Sequence, residues 1–572
     1  MTTVATHLVE ALVNAGVRRI FGVVGDSLNS IVDAVHHNRN IEWIHVRHEE
    51  AGAFAASAEA QLTGNLAVCA GSCGPGNLHL INGLFDAHKT LAPVLAIAAQ
   101  IPSSEIGTDF FQETHPERLF QDCSHFCQLV GTEKQMPRLL QIAMQTSISR
   151  GGVSVLVLPG DVASDKITSE ELEHRVFHPR PAIQPAREEL EKLADLLNDA
   201  DRVTIFGGAG CAGAHRQVLA LAQQLLAPIA YSFRGKEFIE RENPYAVGMT
   251  GLLGTESGHY ALEKAEVVLC LGTDFPYTAW YPKKAKIVQI DVRPDHLGRR
   301  SRLALGLVGD IRTTIDALLP LVRPKKRDKH VSACIAKYRE TEKSLQNHAD
   351  REKTGKGLLP EYVTKVLNQV AEDDAIFTVD TGMTAVWAAR YLKMTAKRRL
   401  IGSFNHGSMA NAMPQAIGAQ MAFPKRQVIS MSGDGGFTML MGDLLTLVQY
   451  SLPVKLIVYN NSTLGMVKLE MRVAGYEDFG VDVKNTNFAK MADAVGMRGI
   501  RVDDPKSVRS AFEAAFRHHG PVLVDVVTDP DALALPPKIQ AKEVAGYGLY
   551  VAKQTLHGRL FATIDELKGN VP

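Results

Sequence analysis

The chain has 572 residues, and its 62 Lys+Arg are balanced by 62 Asp+Glu. Apolar residues make up 45% and charged residues 22%, ordinary globular usage that excludes a disordered, collagen-like or wholly coiled-coil chain. Zero net charge argues against a nucleic-acid partner, and no apolar run reaches the roughly 20 residues that span a bilayer. At about 150 residues per domain the length predicts three or four domains. The N-terminus lacks a basic start followed by an apolar core, so no signal peptide is expected. Seven cysteines, an odd number, point to a reducing compartment. The CxxxC pairs Cys69/Cys73 and Cys123/Cys127 read as buried thiols rather than a zinc site.

In chain order, short β-branched runs alternate with amphipathic stretches, the pattern of parallel α/β units. Leu8 and Leu12 form a helical stripe that Gly16 stops. Strands are predicted at Arg19 to Val24, Ile41 to Val46, Leu66 to Ala70, Val94 to Ala98 and Val153 to Leu158. Three prolines in seven positions, Pro179, Pro181 and Pro185, then break the chain near residue 182. A second unit has strands at Val203 to Phe206, Ile229 to Ser232, Val267 to Leu271 and Lys286 to Val292. The charged stretch Arg323 to Lys356 reads as a solvated linker helix. A third unit opens near Pro360, with strands at Ala375 to Val379, Gln427 to Met431, Val454 to Tyr459 and Val522 to Val527. The domains expected are 1–182, 183–335, a linker 336–359, 360–530, and a tail 531–572. No short internal repeat is visible.

One motif stands above the rest. Gly433-Asp434-Gly435 follows a strand, and 24 residues separate Gly435 from Asn460-Asn461, which end another strand. This places a carboxylate and an amide at the carboxyl ends of parallel strands, where open α/β sheets bind ligands. Both are hard oxygen donors suited to Mg²⁺, and the glycines admit a diphosphate to backbone N–H groups. Earlier, Arg47-His48-Glu49-Glu50-Ala51-Gly52-Ala53 follows a strand and opens an alanine-rich helix able to pack closely on a neighbour. Either glutamate also suits a helix N-terminus.

The motif and its spacing resemble the thiamine-diphosphate-dependent enzymes, and the resemblance covers nearly the whole chain. It implies three doubly wound α/β domains. It assigns the Mg²⁺ ligands to Asp434, Asn461 and the Thr463 carbonyl. The cofactor contacts would be Gly407, Ser408, Met409, Asp434, Gly435 and Gly436, with the run Asn461, Ser462, Thr463, Leu464, Gly465, Met466 and Val467. Met409 would wedge under the cofactor. The catalytic acid would be Glu49, held partly protonated by an apolar site, and it would serve a partner subunit's diphosphate half, so at least a dimer is required. Phe111-Gln112-Glu113 resembles the pyruvate oxidase branch, where the Phe and Gln face the reacting carbon. His115 and His406 read as hydrogen-bonded structural histidines, with proton shuttling as the alternative, and Gly71 to Asn77 would turn beside the cofactor.

In the middle unit, Gly208-Ala209-Gly210-Cys211-Ala212-Gly213 is a GxGxxG after a strand, a weak nucleotide signal alone. The resemblance adds FAD positions at Thr250, Gly251, Leu252 and Leu253, at Asp274, at Asp291, Val292, Arg293, Pro294 and Asp295, and at Gly309 and Asp310. Segments including Phe111 to Pro116 and Gly402 to Gln415 are most similar to the quinone-reducing pyruvate oxidases, except that Met466 stands where those carry Phe. That branch implies pyruvate as substrate, acetate and CO₂ as products, a membrane quinone as acceptor, and a homotetramer. The tail carries Leu556, Leu560, Ile564 and Leu567 on one helical stripe, with Lys553, His557 and Arg559 off it. Such a helical tail suits an anionic membrane surface, which would put the protein in the cytoplasm, peripheral on the inner face of the cell membrane.

Overall fold

The computed structural model describes residues 2–167, 176–179, 181–484, 486–534 and 549–550. Three six-stranded sheets organise it. The first holds β1 (Arg19–Gly22), β2 (Glu42–His45), β3 (Ala67–Gly71), β4 (Val94–Gln100), β5 (Phe126–Leu129) and β6 (Val153–Pro159), in the order 2-1-3-4-6-5. The second holds β7 (Val203–Gly207), β8 (Ile229–Tyr231), β9 (Ala246–Met249), β10 (Val267–Leu271), β11 (Lys286–Asp291) and β12 (Leu305–Val308), in the order 12-11-10-7-8-9. The third holds β13 (Ile376–Val379), β14 (Arg399–Gly402), β15 (Val428–Gly433), β16 (Lys455–Asn460), β17 (Arg498–Val502) and β18 (Val522–Val527), in the order 14-13-15-16-18-17.

Every described strand pairing is parallel. Helices cover both faces, so the central strands are mainly apolar: β4 and β6 are buried along their whole length, with Gln100 and Ser154 their only polar residues. The expected three-unit α/β architecture is therefore present. The middle sheet has the strand order of dinucleotide-binding folds. The first and third sheets share one order, a repeat of topology that leaves no visible repeat of sequence. Among the described residues no helix is long and apolar enough to cross a membrane. The seven cysteines are free, and burial raises the Cys69 thiol and pushes that of Cys123 up to about 12.

The expected linker helix forms at Lys329–Asp350, but it is not simply solvated. It begins inside the middle unit and buries Cys334 in that unit's core, while Glu342 reaches Lys393 of the third unit at 2.7 Å. One helix thus buttresses two units, and residue 335 falls within it. The expected tail helix lies outside the described residues.

The first and third units share one apolar core, with Phe21, Ile44 and Phe120 from one and Ile376, Met413 and Phe437 from the other. Its centre is the alanine-rich helix Glu49–Thr63, buried on nearly every side, against the helix Ala412–Ala422. The approach is so close that a Cβ on Gly418 would stand 2.0 Å from the Ala55 carbonyl oxygen. On its other side a Cβ on Gly83 would stand 2.5 Å from Ala53 Cβ. The exposed edge β2 is covered from the third unit: Tyr450 Oη accepts the His45 N–H at 2.8 Å and donates to the Trp43 carbonyl at 3.2 Å.

Candidate active site

The first unit's contribution gathers at the start of helix Glu49–Thr63. His48 caps it, its Nδ1 accepting the Glu50 N–H at 3.2 Å. The two glutamates then part. Glu49 is buried and pairs with His79 Nδ1 at 2.9 Å, and the His79 ring stacks on His48 at 4.2 Å between centroids. Glu50 accepts from Asn82 Nδ2 at 2.7 Å. Burial and the His79 neighbour push the His48 imidazole below its usual range. The Gly71 to Asn77 turn closes over Glu49: a Cβ on Gly76 would lie 3.0 Å from Glu49 Oε1 and 2.7 Å from Ser72 Oγ. Gln112, at φ +64°, packs on Gly74, and its Oε1 accepts from Cys73 Sγ at 3.4 Å. The structure thus brings Glu49 and the Phe111-Gln112 loop to one turn, with Phe111 78% exposed. Glu113 holds that loop by accepting the Gly107 N–H at 2.6 Å and the Phe110 N–H at 3.1 Å.

The third unit's contribution lies at the carboxyl ends of β15 and β16. Asp434 opens the helix Asp434–Met439, its Oδ1 accepting the Gly435 N–H at 2.9 Å and its Oδ2 the Ser462 N–H at 2.6 Å. Burial, helped by the Asp525 charge, pushes its carboxyl up to about 6 against those backbone donors, and no ion pair to it forms among the described residues. Asn461 Oδ1 accepts the Thr463 N–H at 3.2 Å across Ser462, which sits at φ +58°. The other member of the pair, Asn460, turns inward to Thr486 and Asp525. The Thr463 carbonyl accepts the Gly465 N–H at 2.9 Å and keeps a second lone pair. A buried carboxylate lacking a cation, an amide and a carbonyl on one loop pair fit a hard divalent ion.

Met409, Leu464 and Gly435 meet there. A Cβ on Gly435 would lie 2.4 Å from Leu464 Cδ2 and 3.8 Å from Met409 Cε. The Met409 loop is held by the first unit of the same chain: Asn82 Nδ2 donates to Ser408 Oγ at 2.8 Å, and Asn405 to the Lys89 carbonyl at 2.9 Å. His406 stacks on Phe85 and bonds Asn82 Oδ1 at 2.8 Å, which gives it a structural partner; His115 is an exposed helix cap. Met466 packs with Leu469 and Leu533, and Val467 is exposed.

The middle unit's candidates cluster less tightly. The GxGxxG glycines are explained by backbone packing, since a Cβ on Gly208 would meet the Gly272 carbonyl at 2.5 Å and one on Gly210 the Gly272 Cα at 2.7 Å. Asp274 is held by Arg299 and Arg300. Asp291 accepts the Arg293 N–H at 3.0 Å, and Asp310 caps the helix Ile311–Leu318. Val292, Pro294 and Asp295 follow on the surface, and Gly309 packs under Pro185. Thr250 is buried with Oγ1 unpartnered, beside Gly251 at φ +93°. After Leu252, the Leu253 carbonyl accepts from Arg390 of the third unit at 3.4 Å.

Three neighbours escaped the sequence reading: His79, Asn82 and Asp380. The last had a local signal, because Asp380-Thr381-Gly382 follows β13 much as Asp434 follows β15. His79 and Asn82 share a helix face that only tertiary contact brings to the site.

Models of the thiamine pyrophosphate enzymes match in three parts: the N-terminal TPP binding domain over residues 2–119, the central domain over 190–318 and the C-terminal TPP binding domain over 380–526. The chain is 34% identical to a putative thiamine pyrophosphate-containing protein, YdaP, of Bacillus subtilis, over 98% of this chain and 97% of that one. It is 33% identical to a pyruvate oxidase of Lactiplantibacillus plantarum, over 90% and 87%. It is 29% identical to a probable acetolactate synthase large subunit of Methanocaldococcus jannaschii, over 93% of each. With the twin sheets, the Asp434–Asn461 loop pair and these full-length matches together, the chain belongs to the thiamine-pyrophosphate-dependent enzyme family.

Proposed function

We propose that the protein is an oligomeric flavoenzyme that converts pyruvate and water to acetate and CO₂, passing two electrons through FAD to a membrane quinone. The observation that carries this reading is the join between two cofactor scaffolds. The helix Met383–Tyr391 packs Met383 near Gly465 of the Asn461 loop, while Arg390 at its far end bonds the Leu253 carbonyl in the loop that follows β9 of the sheet in dinucleotide order. The unpartnered Thr250 hydroxyl beside Gly251 suits a bound nucleotide. Asp274, saturated by two arginines, would organise that site without touching it.

In this reading Asp434, Asn461 and the Thr463 carbonyl would hold Mg²⁺, and the backbone of Gly435 and Gly436 would receive the diphosphate. Met409 would support the bound cofactor. Glu49 would serve the pyrimidine ring as acid, with His79 fixing its carboxyl. Phe111 and Gln112 line the approach to the reacting carbon. When bound, thiamine diphosphate supplies the electron sink that decarboxylation needs. Phe111 and the 86%-exposed Phe479 are large apolar groups left to solvent by one chain, which supports a partner subunit over both half-sites, in a dimer or tetramer. We assign 1–182 to the pyrimidine half, 183–335 to FAD, 360–530 to the diphosphate half, and the tail to an anionic membrane surface, from the cytoplasmic side.

The same chemistry has two other outcomes, acetyl phosphate with O₂ as acceptor, or acetolactate, the product for which one relative is named. Anaerobic addition of pyruvate to the purified holoenzyme, followed at the flavin absorption band and by assay of all three products, separates them. Bleaching with acetate and quinone-dependent turnover is expected. Acetolactate without bleaching overturns the oxidase reading, and a strict phosphate requirement overturns the quinone-linked one.

A further inference from the structure

Asp380 carries a carboxyl that no role above uses. It follows β13 and is 1% exposed. Its backbone N–H donates to the Met431 carbonyl of β15 at 2.9 Å, and its own carbonyl accepts from Thr384 Oγ1 at 3.0 Å. Oδ1 accepts the Asn411 N–H at 3.0 Å, and the N–H groups of Ala410, Ala412 and Thr381 also favour its charge. Burial outweighs them and pushes the carboxyl up to about 7. Oδ2 has no hydrogen-bond partner and lies where a Cβ on Gly436 would come within 2.3 Å.

Backbone N–H groups converging on an anion form a nest, and here the anion is part of the chain. To join the nest, Ala410 adopts φ +66°, a left-handed conformation unfavourable for a residue with a Cβ. Met409 is the residue immediately before it. The same carboxylate therefore touches the turn that presents Met409 and the glycine that follows Asp434-Gly435.

We propose that Asp380 is a positioning residue whose carboxylate locks the Met409 loop in its strained turn against Gly435-Gly436, and so sets the affinity for thiamine diphosphate. The inference rests on the cofactor reading above. The Asn411 bond, with the N–H groups of Ala410, Ala412 and Thr381 turned the same way, favours the charged form at this buried position. The clash at Gly436 accounts for a second glycine after Asp434-Gly435.

The test uses the full-length protein at pH 8, where this carboxyl is ionised. Asp380→Asn keeps the shape but removes the negative charge that the backbone donors face. Equilibrium dialysis with thiamine diphosphate and Mg²⁺ should show about ten- to a hundredfold weaker binding, the scale of lost hydrogen bonds to a charged group. Flavin content and far-UV circular dichroism should not change. Adding Ala410→Gly should recover most of the loss, because glycine takes φ +66° without strain; a merely structural Asp380 would gain nothing from it. Should Asp380→Asn fail to fold, Ala410→Val and Ala410→Gly carry the test. Valine should weaken binding at least tenfold and glycine should not. Wild-type affinity in Asp380→Asn, no recovery in the double variant, or equal affinities for valine and glycine overturn the role of Asp380 alone. A wild-type protein that binds no thiamine diphosphate overturns the cofactor reading as well.

Discussion

Gly418 offers the sharpest mechanical test of the fold. Gly418→Ala puts a methyl 2.0 Å from the Ala55 carbonyl oxygen, 2.7 Å from its carbon and 2.9 Å from its Cα, all backbone atoms. Ordinary contact begins at 3.4 Å, so the helices Glu49–Thr63 and Ala412–Ala422 must part by about 1.4 Å at that point. A gap of about 0.5–1 Å already forfeits roughly a quarter to a half of each dispersion contact beside it, and this one is wider; Ala416, Ile417 and Ala419 are among the residues that lose contact. Overpacking typically costs about 1–3 kcal/mol, and alanine's helix propensity returns up to about 1 kcal/mol. Because the contacts are with backbone that cannot rotate away, the cost falls in the upper part of that range, and for a cooperative unit of about 150–250 residues a net loss of about 1–2 kcal/mol is a fall of roughly 2–8 °C in melting temperature. Because Ala412–Ala422 follows directly on the Met409 loop, thiamine diphosphate affinity should fall with it. Differential scanning fluorimetry and cofactor titration read both, with Gly355→Ala as control, since its Cβ meets nothing within 4 Å. Wild-type melting and affinity in Gly418→Ala would refute the argument that this glycine exists for close packing.

Glu49→Gln should keep the fold and flavin and lose on the order of 10²–10⁴-fold in turnover, whereas Glu50→Gln should not, as steady-state kinetics will show. Asp434 predicts a pH dependence of Mg²⁺ uptake. Its folded carboxyl lies near 6, above the ordinary value, so its stabilising contribution to the cofactor-free protein is full at low pH and lost as pH rises through about 6. The cation needs the deprotonated form, so calorimetry should find affinity falling by up to about tenfold per pH unit below 6 and level above it. Chains bearing Glu49→Gln or Asp434→Ala should each be inactive alone. Mixed in one oligomer they should recover about a quarter of wild-type activity, because half of random dimers then carry one undamaged site. No recovery on mixing would mean that both halves of a site come from one chain.

The central strands were legible because burial on both faces makes them continuous Val, Ile and Leu runs, as at Val153–Pro159. The edges were not. Arg498–Val502 and Phe126–Leu129 are only partly buried and mix polar with apolar residues, Leu305–Val308 and Arg399–Gly402 are four residues long, and Ala246–Met249 carries a glycine. Only the edge strand Glu42–His45 was anticipated. The linker helix was legible as a helix, but its charged composition hid the face that buries Cys334. At the site, Asp434 and Asn461 could be read because their meeting depends on local spacing at strand ends. The pairing of Glu49 with His79, the grip of Asn82 on Ser408 and the nest around Asp380 depend on elements far apart in sequence.

The shared strand order of the first and third sheets has a consequence for polarity. Two copies of one crevice exist in each chain, yet their charge differs. After its first and third strands the third unit places Asp380 and Asp434, while the first unit places Val23 and Ser72 at the matching positions. The first unit's acid, Glu49, comes instead after its second strand, already engaged by a histidine. Under the cofactor reading proposed above, one crevice would meet a cation and its phosphates, and the other a neutral ring. A ligand with one ionic and one uncharged end has a single direction in which to lie between them.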